Sequence, residues 1–326
     1  MDSLGWQVES IPLQTSDSVL IKDIYIFKES VNFYFIVSDN KIFKFDKKGG
    51  FVSYIGQSGQ GPQEFIGARQ IHPDDRNEHL YVMDYFGRKM IIYKYNGEFV
   101  SSFPLPDDYL INSFYMYKND IYYLSTTNSI MPDLFRYSVT SNMLDTICKR
   151  EREMGSEGPI GESYIYEFDD SIRFFHYFND TVYSMKEDNL YPCYLVSFEK
   201  KKYKFEELQV EVNNGNIKQK INPDGLRIQV SDFFETSRYI CIFYSYSGEA
   251  SSYIFDKEGK KGYPNLSIKS DKAPYTTIKH GEHFFYSKQS DCVFQIKESH
   301  ELAKFFDNIS EDDNPIIIKY HSNVKD

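Results

Sequence analysis

The sequence predicts an all-β fold: a six-bladed β-propeller with four antiparallel strands per blade and a short C-terminal helix. Three observations carry this. One strand pattern is written twice, as VSDNKIFKFDKKGGFVSYIG from Val37 to Gly56 and as VMDYFGRKMIIYKYNGEFVSSF from Val82 to Phe103. The paired positions Asp39 and Asp84, Phe45 and Tyr95, and Phe51 and Phe99 lie 45, 50 and 48 residues apart, the period of a four-stranded blade. Aromatic residues make up 17% of the chain, with 28 Tyr and 27 Phe against one Trp. That content suits pleated surfaces packed on both faces.

Taken in order, WQVESIPL (6–13) reads as a short strand. VLIKDIYIF (19–27), VNFYFIVS (31–38), KIFKF (41–45) and FVSYI (51–55) follow, each bounded by turn residues such as KES and DKKGG. The second copy repeats the plan and turns at Asn96-Gly97. Weaker copies follow, with LFRY (134–137), NDTVYSM (179–185) and YIFDKEG (253–259) standing where the first copy has KIFKF and its turn. Blades are expected at about 19–56, 68–103, 110–147, 162–198, 226–262 and 273–322, within one domain spanning 1–326 and expected as a monomer. In the last blade, PYTTIKH, HFFYSK and DCVFQIK read as first, second and third strands.

Runs such as ICIFYSY are apolar on both parities, as strands covered on both sides must be. The polar segments 149–161 and 199–224 read as solvated loops or a short surface helix. SHELAKFFDNIS (299–310) puts Leu302, Phe305, Phe306 and Ile309 on one helical face, with Ser299 as N-cap. An open ring would expose strand edges, so a terminal strand must close it, either IPL (11–13) or IIIKY (316–320).

With the connector GQSGQGPQEF and the ending DDNPIIIKY, together with KFDKKGGFVSYIG, NDTVYSMKEDNLYPCYLVSF and RYICIFYSYSGEASSYIFDKEG, the chain resembles the NHL-like six-bladed β-propeller proteins of Bacteroidetes. These are largely uncharacterised and often predicted to be lipoproteins. The resemblance implies six blades and a periplasmic or cell-surface location, and it carries no catalytic residues to transfer. The start, MDSLGWQVES, has neither a basic nor an apolar leader region, so no export signal is expected within this chain.

Net charge is −11 with a pI near 5.2, which repels phosphate backbones and argues against a nucleic-acid partner. No run reaches the ~20 apolar residues of a membrane-spanning helix. Cys148, Cys193, Cys241 and Cys292 form no CxxC pair, so a zinc site is rejected and buried free thiols are expected. His280 and His283, in HGEH, stand in a hairpin turn as a weak metal pattern. No GxSxG elbow and no HExxH occurs, and the glycine-rich connector opens no helix, so it is not a P-loop.

Propeller topology puts the blade-to-blade connectors and the turns between second and third strands on one end of the ring. Gln57–Arg69 therefore shares a face with Asp39, Asn40, Asp84, Arg88 and residues 179–181. The expected function is a non-enzymatic propeller binding a glycan, peptide or protein there through Gln57, Gln60, Glu64, Arg69 and Arg88, with no cofactor and no catalytic residue. The alternative is a metal-dependent hydrolase or lyase at the central channel, with Asp39, Asp84 and Asp180 holding a divalent cation such as calcium. Against both stands a plainer reading, in which the connector is a tight turn and the aspartates cap hairpins.

Overall fold

The computed structural model describes residues 6–106, 111–125, 134–148, 163–176, 181–187, 189–197, 210–213, 216–219, 228–246, 249–264, 284–307 and 309–321. Six four-stranded antiparallel sheets form the blades of a propeller. Blade 1 is Ile24–Glu29, Phe33–Ser38, Lys41–Asp46 and Phe51–Tyr54; blade 2 is Ala68–Asp74, His79–Asp84, Lys89–Lys94 and Phe99–Pro104. Blade 3 runs from Ile111–Tyr117 through Asp120–Ser125 and Leu134–Ser138 to Met143–Cys148; blade 4 from Ser163–Phe168 through Ser171–His176 and Thr181–Lys186 to Asn189–Leu195. Blade 5 comprises Ile228–Glu235, Tyr239–Tyr246, Glu249–Asp256 and Lys261–Pro264. Blade 6 comprises Phe284–Ser287, Cys292–Lys297, Ile316–His321 and, from the other end of the chain, Gln7–Pro12. The first strand of each blade is innermost, and these six inner strands contact one another in a closed ring around the axis.

Six apolar clusters lie one at each blade-to-blade interface. This explains the two-sided strands. In Phe33–Ser38, Tyr34 and Ile36 pack toward blade 6 while Phe35 and Val37 pack toward blade 2, all at 2% exposure or less. Adjacent Phe174 and Phe175 likewise serve the interfaces with blades 3 and 5. The aromatic excess fills these wedges, as in the stacked rings of Phe243 and Phe284 at 4.2 Å.

Several details depart from the pattern reading. HFFYSK contains the innermost strand of blade 6, not its second, while PYTTIKH lies outside the described residues. Within 199–224, Val210–Asn213 and Asn216–Gln219 pair as a β-hairpin instead of a helix. The C-terminal helix is one α-turn, Ser299–Leu302, followed by a 3-10 turn, Ala303–Phe305. Its N-cap is Glu298, not Ser299. Ser299 is buried and its hydroxyl donates to the Asn314 carbonyl. Leu302 is buried and Phe306 and Ile309 pack on the blade 5–6 cluster, but Phe305 faces solvent because the change of helical pitch turns it off the apolar stripe.

Ring closure falls to IPL, not IIIKY. Gln7–Pro12 pairs antiparallel with Ile316–His321, Ile11 opposite Ile317, and IIIKY is the third strand inside it. Asn314, from DDNP, latches the joint. Its side chain accepts from Ile21 N–H (2.7 Å) and donates to the Gln14 and Val19 carbonyls, while its own N–H donates to Thr15 Oγ1.

A second latch joins blades 6 and 1. The buried carboxylate of Glu29 accepts from Lys47 (2.7 Å) and from the Ser290 hydroxyl of blade 6, with Lys319 at 3.5 Å. Lys257 reaches Glu235 in blade 5 in the same way, at 3.0 Å. The repeated FDK at 45–47 and 255–257 is therefore one device used twice, a turn lysine pinning the end of its own inner strand. Burial raises the Glu29 carboxyl, but its bonds from Lys47, Ser287 and Ser290 outweigh burial and hold it below the ordinary 4.5. Stability from such a group is fully present above its unfolded-state value and is lost as pH falls through the lower folded-state value. The thermal midpoint should therefore drop on acidification from about pH 5 to about pH 3, and Glu29→Gln should flatten part of that slope. Parallel profiles for wild type and variant would rule Glu29 out as the acid-sensitive group.

Candidate ligand-binding cavity

The connector and the turns joining second to third strands do share one end of the ring. Asn40 donates to Ser58 Oγ and to the Ile66 carbonyl, and Arg88 donates to the Pro106 carbonyl at 2.7 Å. What these residues do there is structural. Glu64 folds back on its own loop and accepts the Gly61 N–H at 2.8 Å; a Cβ on Gly59 would stand 2.0 Å from its carboxylate. Gly56 takes φ +64° against the Tyr93 ring, whose hydroxyl donates to the Gln63 carbonyl at 2.6 Å. Gln57, Gln60 and Arg69 are exposed.

Asp39 and Asp84 are not brought together. Asp39 is the first residue of a two-residue hairpin turn with Asn40, both at positive φ (49° and 55°), and its exposed carboxylate pairs with Lys22 at 3.1 Å. Asp84 is fully buried at the end of its strand and accepts three backbone N–H groups, from Ile66, Gly67 and Gly87, each at 3.0 Å. The true structural partner of Asp84 in blade 1 is Ser38, whose hydroxyl accepts the Lys22 N–H at 3.2 Å in the same way. Asp180, His280 and His283 lie outside the described residues. Among the described residues, no three His, Cys, Asp or Glu side chains are grouped as metal ligands.

The opposite end of the ring holds a cavity of about 910 Å³. It is built by the ends of the inner strands and the hairpins that follow them, in blades 1, 2, 3, 4 and 6. A second space of about 210 Å³ continues along the axis, and Lys28, Tyr115, Glu167, Tyr286 and Lys288 border both. No connector residue lines the large cavity. Lys288 of blade 6 reaches past blade 5 to pair with Glu167 of blade 4, so one ion pair spans the channel mouth. His72 packs edge-on to Tyr115 with ring centroids 4.7 Å apart. Burial, helped by the Lys28 charge, holds His72 down to about 3, so its imidazole is neutral at physiological pH. Burial raises the Tyr115 and Tyr286 hydroxyls, which stay protonated.

The carboxylates bordering the cavity have partners. Asp74 accepts from the Arg76 and Asn77 N–H groups, and Asp75 from the Tyr95 hydroxyl (3.1 Å) and the Val31 N–H (3.0 Å). Asp170 pairs with Lys118 at 3.3 Å, Glu167 with Lys288, and Glu29 with Lys47. Two lining cations, Lys28 and Arg76, have no acidic partner among the described residues. Burial lowers Lys28 from the ordinary lysine value.

The pattern reading missed these residues because it took the ends of the inner hairpins, such as KES, as plain turns. Their signal was the recurrence of charged and aromatic residues at the end of each inner strand. One constellation elsewhere looks catalytic and is not. Cys292 Sγ lies 3.4 Å from His321 Nδ1, whose Nε2 is 3.4 Å from Glu9, but the sulfur is buried, donates to the Ser290 carbonyl, and is raised by burial. It is an inert thiol. None of the four cysteines forms a disulfide; Cys241 and Cys292 are buried, Cys148 and Cys193 half-buried. Asp84→Ala would remove a fully buried carboxylate that holds three backbone N–H groups and should lower unfolding stability by about 2 kcal/mol in urea titration. Asp39→Asn, which keeps a residue suited to positive φ and loses only an exposed pair, should change it by less than about 1 kcal/mol.

The fold is shared with solved structures at low identity. A Bacteroides fragilis protein described as exported superposes with a TM-score of 0.72 at 19% identity, over 99% of this chain and 96% of that one. A DUF4221 family member from Bacteroides vulgatus gives 0.58 at 8% identity over 97% and 96%. A streptogramin B lyase gives 0.50 at 11% identity over 97% and 98%. No curated protein matches, and no helix among the described residues is long and apolar enough to cross a membrane. A family model matches residues 1–321, and the chain belongs to that family, the domain of unknown function DUF4934.

Proposed function

We propose that this chain is a binding propeller, and that its ligand enters at the inner-hairpin end of the central channel, opposite the GQGPQE connector. The observation that carries this reading is the cavity of about 910 Å³, lined from five of the six blades. Its size is that of sites enclosing drug-sized molecules. Side chains from five blades can set the ligand's orientation, while the closed ring keeps them in fixed relation. The connector face, by contrast, uses its polar groups on itself: Glu64 caps Gly61 and Asp84 holds Ile66, Gly67 and Gly87. A cell-envelope location belongs to the same reading, supported by the exported relative of this fold from Bacteroides fragilis.

Gln289 is exposed on the cavity rim, so Gln289→Trp should block entry without disturbing the core. In a thermal-shift screen of sugars, organic acids and short peptides, compounds that stabilise the wild type should lose their effect in Gln289→Trp and keep it in Arg69→Ala. Hits that ignore Gln289→Trp but vanish in Arg69→Ala would return the site to the connector face.

A further inference from the structure

We propose that the occupant of this cavity is a neutral carbohydrate, held by its hydroxyl groups against the polar side chains of the inner hairpins and by its C–H faces against their tyrosines. This rests on the cavity being the binding site and adds the ligand's class. Charge narrows the choice first. Among the described lining residues, Glu29, Asp74, Asp75, Glu167 and Asp170 bring five carboxylates. Lys28, Arg76, Lys118 and Lys288 bring four cations, and Asp232 borders the narrower space behind them. The wall is slightly acidic, which disfavours an anion. It does not concentrate that charge for a cation either. Blade 4 contributes only acids and blades 3 and 6 only lysines, and these meet across blades as Lys118 with Asp170 and Lys288 with Glu167. Glu29 has Lys47, and Asp74 and Asp75 share their hairpin with Arg76.

What the wall offers in quantity is hydrogen-bonding capacity fixed in place. Of the described lining residues, only Pro73, Met116 and Val139 carry no nitrogen or oxygen in the side chain beyond the backbone, so an apolar body would strand polar groups on every side. A carboxylate can accept about four hydrogen bonds, and Asp75 accepts two, from the Tyr95 hydroxyl and the Val31 N–H. Asn77, Asn119 and Gln289 are exposed at the rim, and each carries donors and an acceptor. His72, neutral at physiological pH, adds to this capacity without adding charge. A sugar hydroxyl both donates and accepts, so one group can give its proton to a carboxylate and receive one from a lysine or an amide. Flat surfaces stand among these polar groups. Tyr286 is backed by Phe234, the rings stacked at 5.9 Å and 7°, and Tyr117 is steadied by its hydroxyl bond to the Asp170 carbonyl. A sugar ring has the same make-up in reverse, an apolar C–H face edged by hydroxyls.

The test is a printed array of neutral, acidic and amino-sugar glycans, probed with the intact chain as wild type and as Gln289→Trp. The wild type should bind neutral glycans and Gln289→Trp should lose them. The strongest binder, titrated calorimetrically as the free sugar, should keep its affinity within about twofold as sodium chloride rises from about 0.05 to about 0.5 M. At least one of its deoxy analogues should bind about tenfold more weakly or worse. Tyr117→Ala should weaken binding about fivefold, while Tyr117→Phe, which keeps the ring, should not. Binding confined to acidic glycans or to amino sugars would overturn the neutral assignment, as would steep salt dependence. Deoxy analogues that all bind as well as the parent, or indifference to Tyr117→Ala, would overturn the recognition by hydroxyls and rings. A blank array would overturn the carbohydrate; if a non-sugar from the thermal-shift screen is then blocked by Gln289→Trp, the cavity reading stands without it. Neutral glycans bound equally by wild type and Gln289→Trp would overturn both.

Discussion

Ring closure is the constraint on which the remaining structure depends. A propeller blade is covered on both faces only if it has two neighbours, and the first and last blades gain theirs only when the ends of the chain meet. Here Gln7–Pro12 supplies the outer strand of blade 6, and Ile11 and Leu13 enter the same cluster as Phe27, Phe43 and Phe294. Asn314 fixes this joint by bonding to Gln14, Val19 and Ile21 at once. Glu29, at the end of the inner strand of blade 1, draws in Lys47 and Ser290 and ties the joint on the other end of the ring. Without closure, the inner strands would have no fixed spacing and the channel no defined wall.

Much of this was legible in the residues because a repeat advertises itself through its period. The doubled pattern across 37–103 located two blades, and the two-sided apolar runs foretold interfaces on both faces. Register was not legible. Asp39 and Asp84 align by eye, yet the structure makes Ser38 the counterpart of Asp84, one residue earlier. In a strand a one-residue slip reverses which face a side chain takes. Asp84 points inward to gather backbone N–H groups, while Asp39 sits in the turn beyond and pairs with Lys22 in solvent.

The candidate site was less legible for a related reason. Polar residues at strand ends look alike in sequence whether they face water or a shared channel. Lys28, His72, Tyr115, Glu167 and Tyr286 come from separate blades, spread across more than 250 residues of chain. Only the ring brings them to one opening. The glycine-rich connector was conspicuous because its backbone needs special geometry, and that conspicuousness reflects a joint rather than a ligand. What distinguishes the channel end is a cavity walled from five blades, a feature that no local motif encodes.

The claim that ligand binding belongs to the inner-hairpin end is tested most directly by hydrogen exchange, comparing the protein alone with the protein saturated by a compound that stabilises it in the thermal-shift screen. Slower exchange at residues 28–29, 115–119 and 286–289, with residues 57–67 unchanged, is the predicted result. Protection of 57–67 with the inner hairpins unchanged would contradict it.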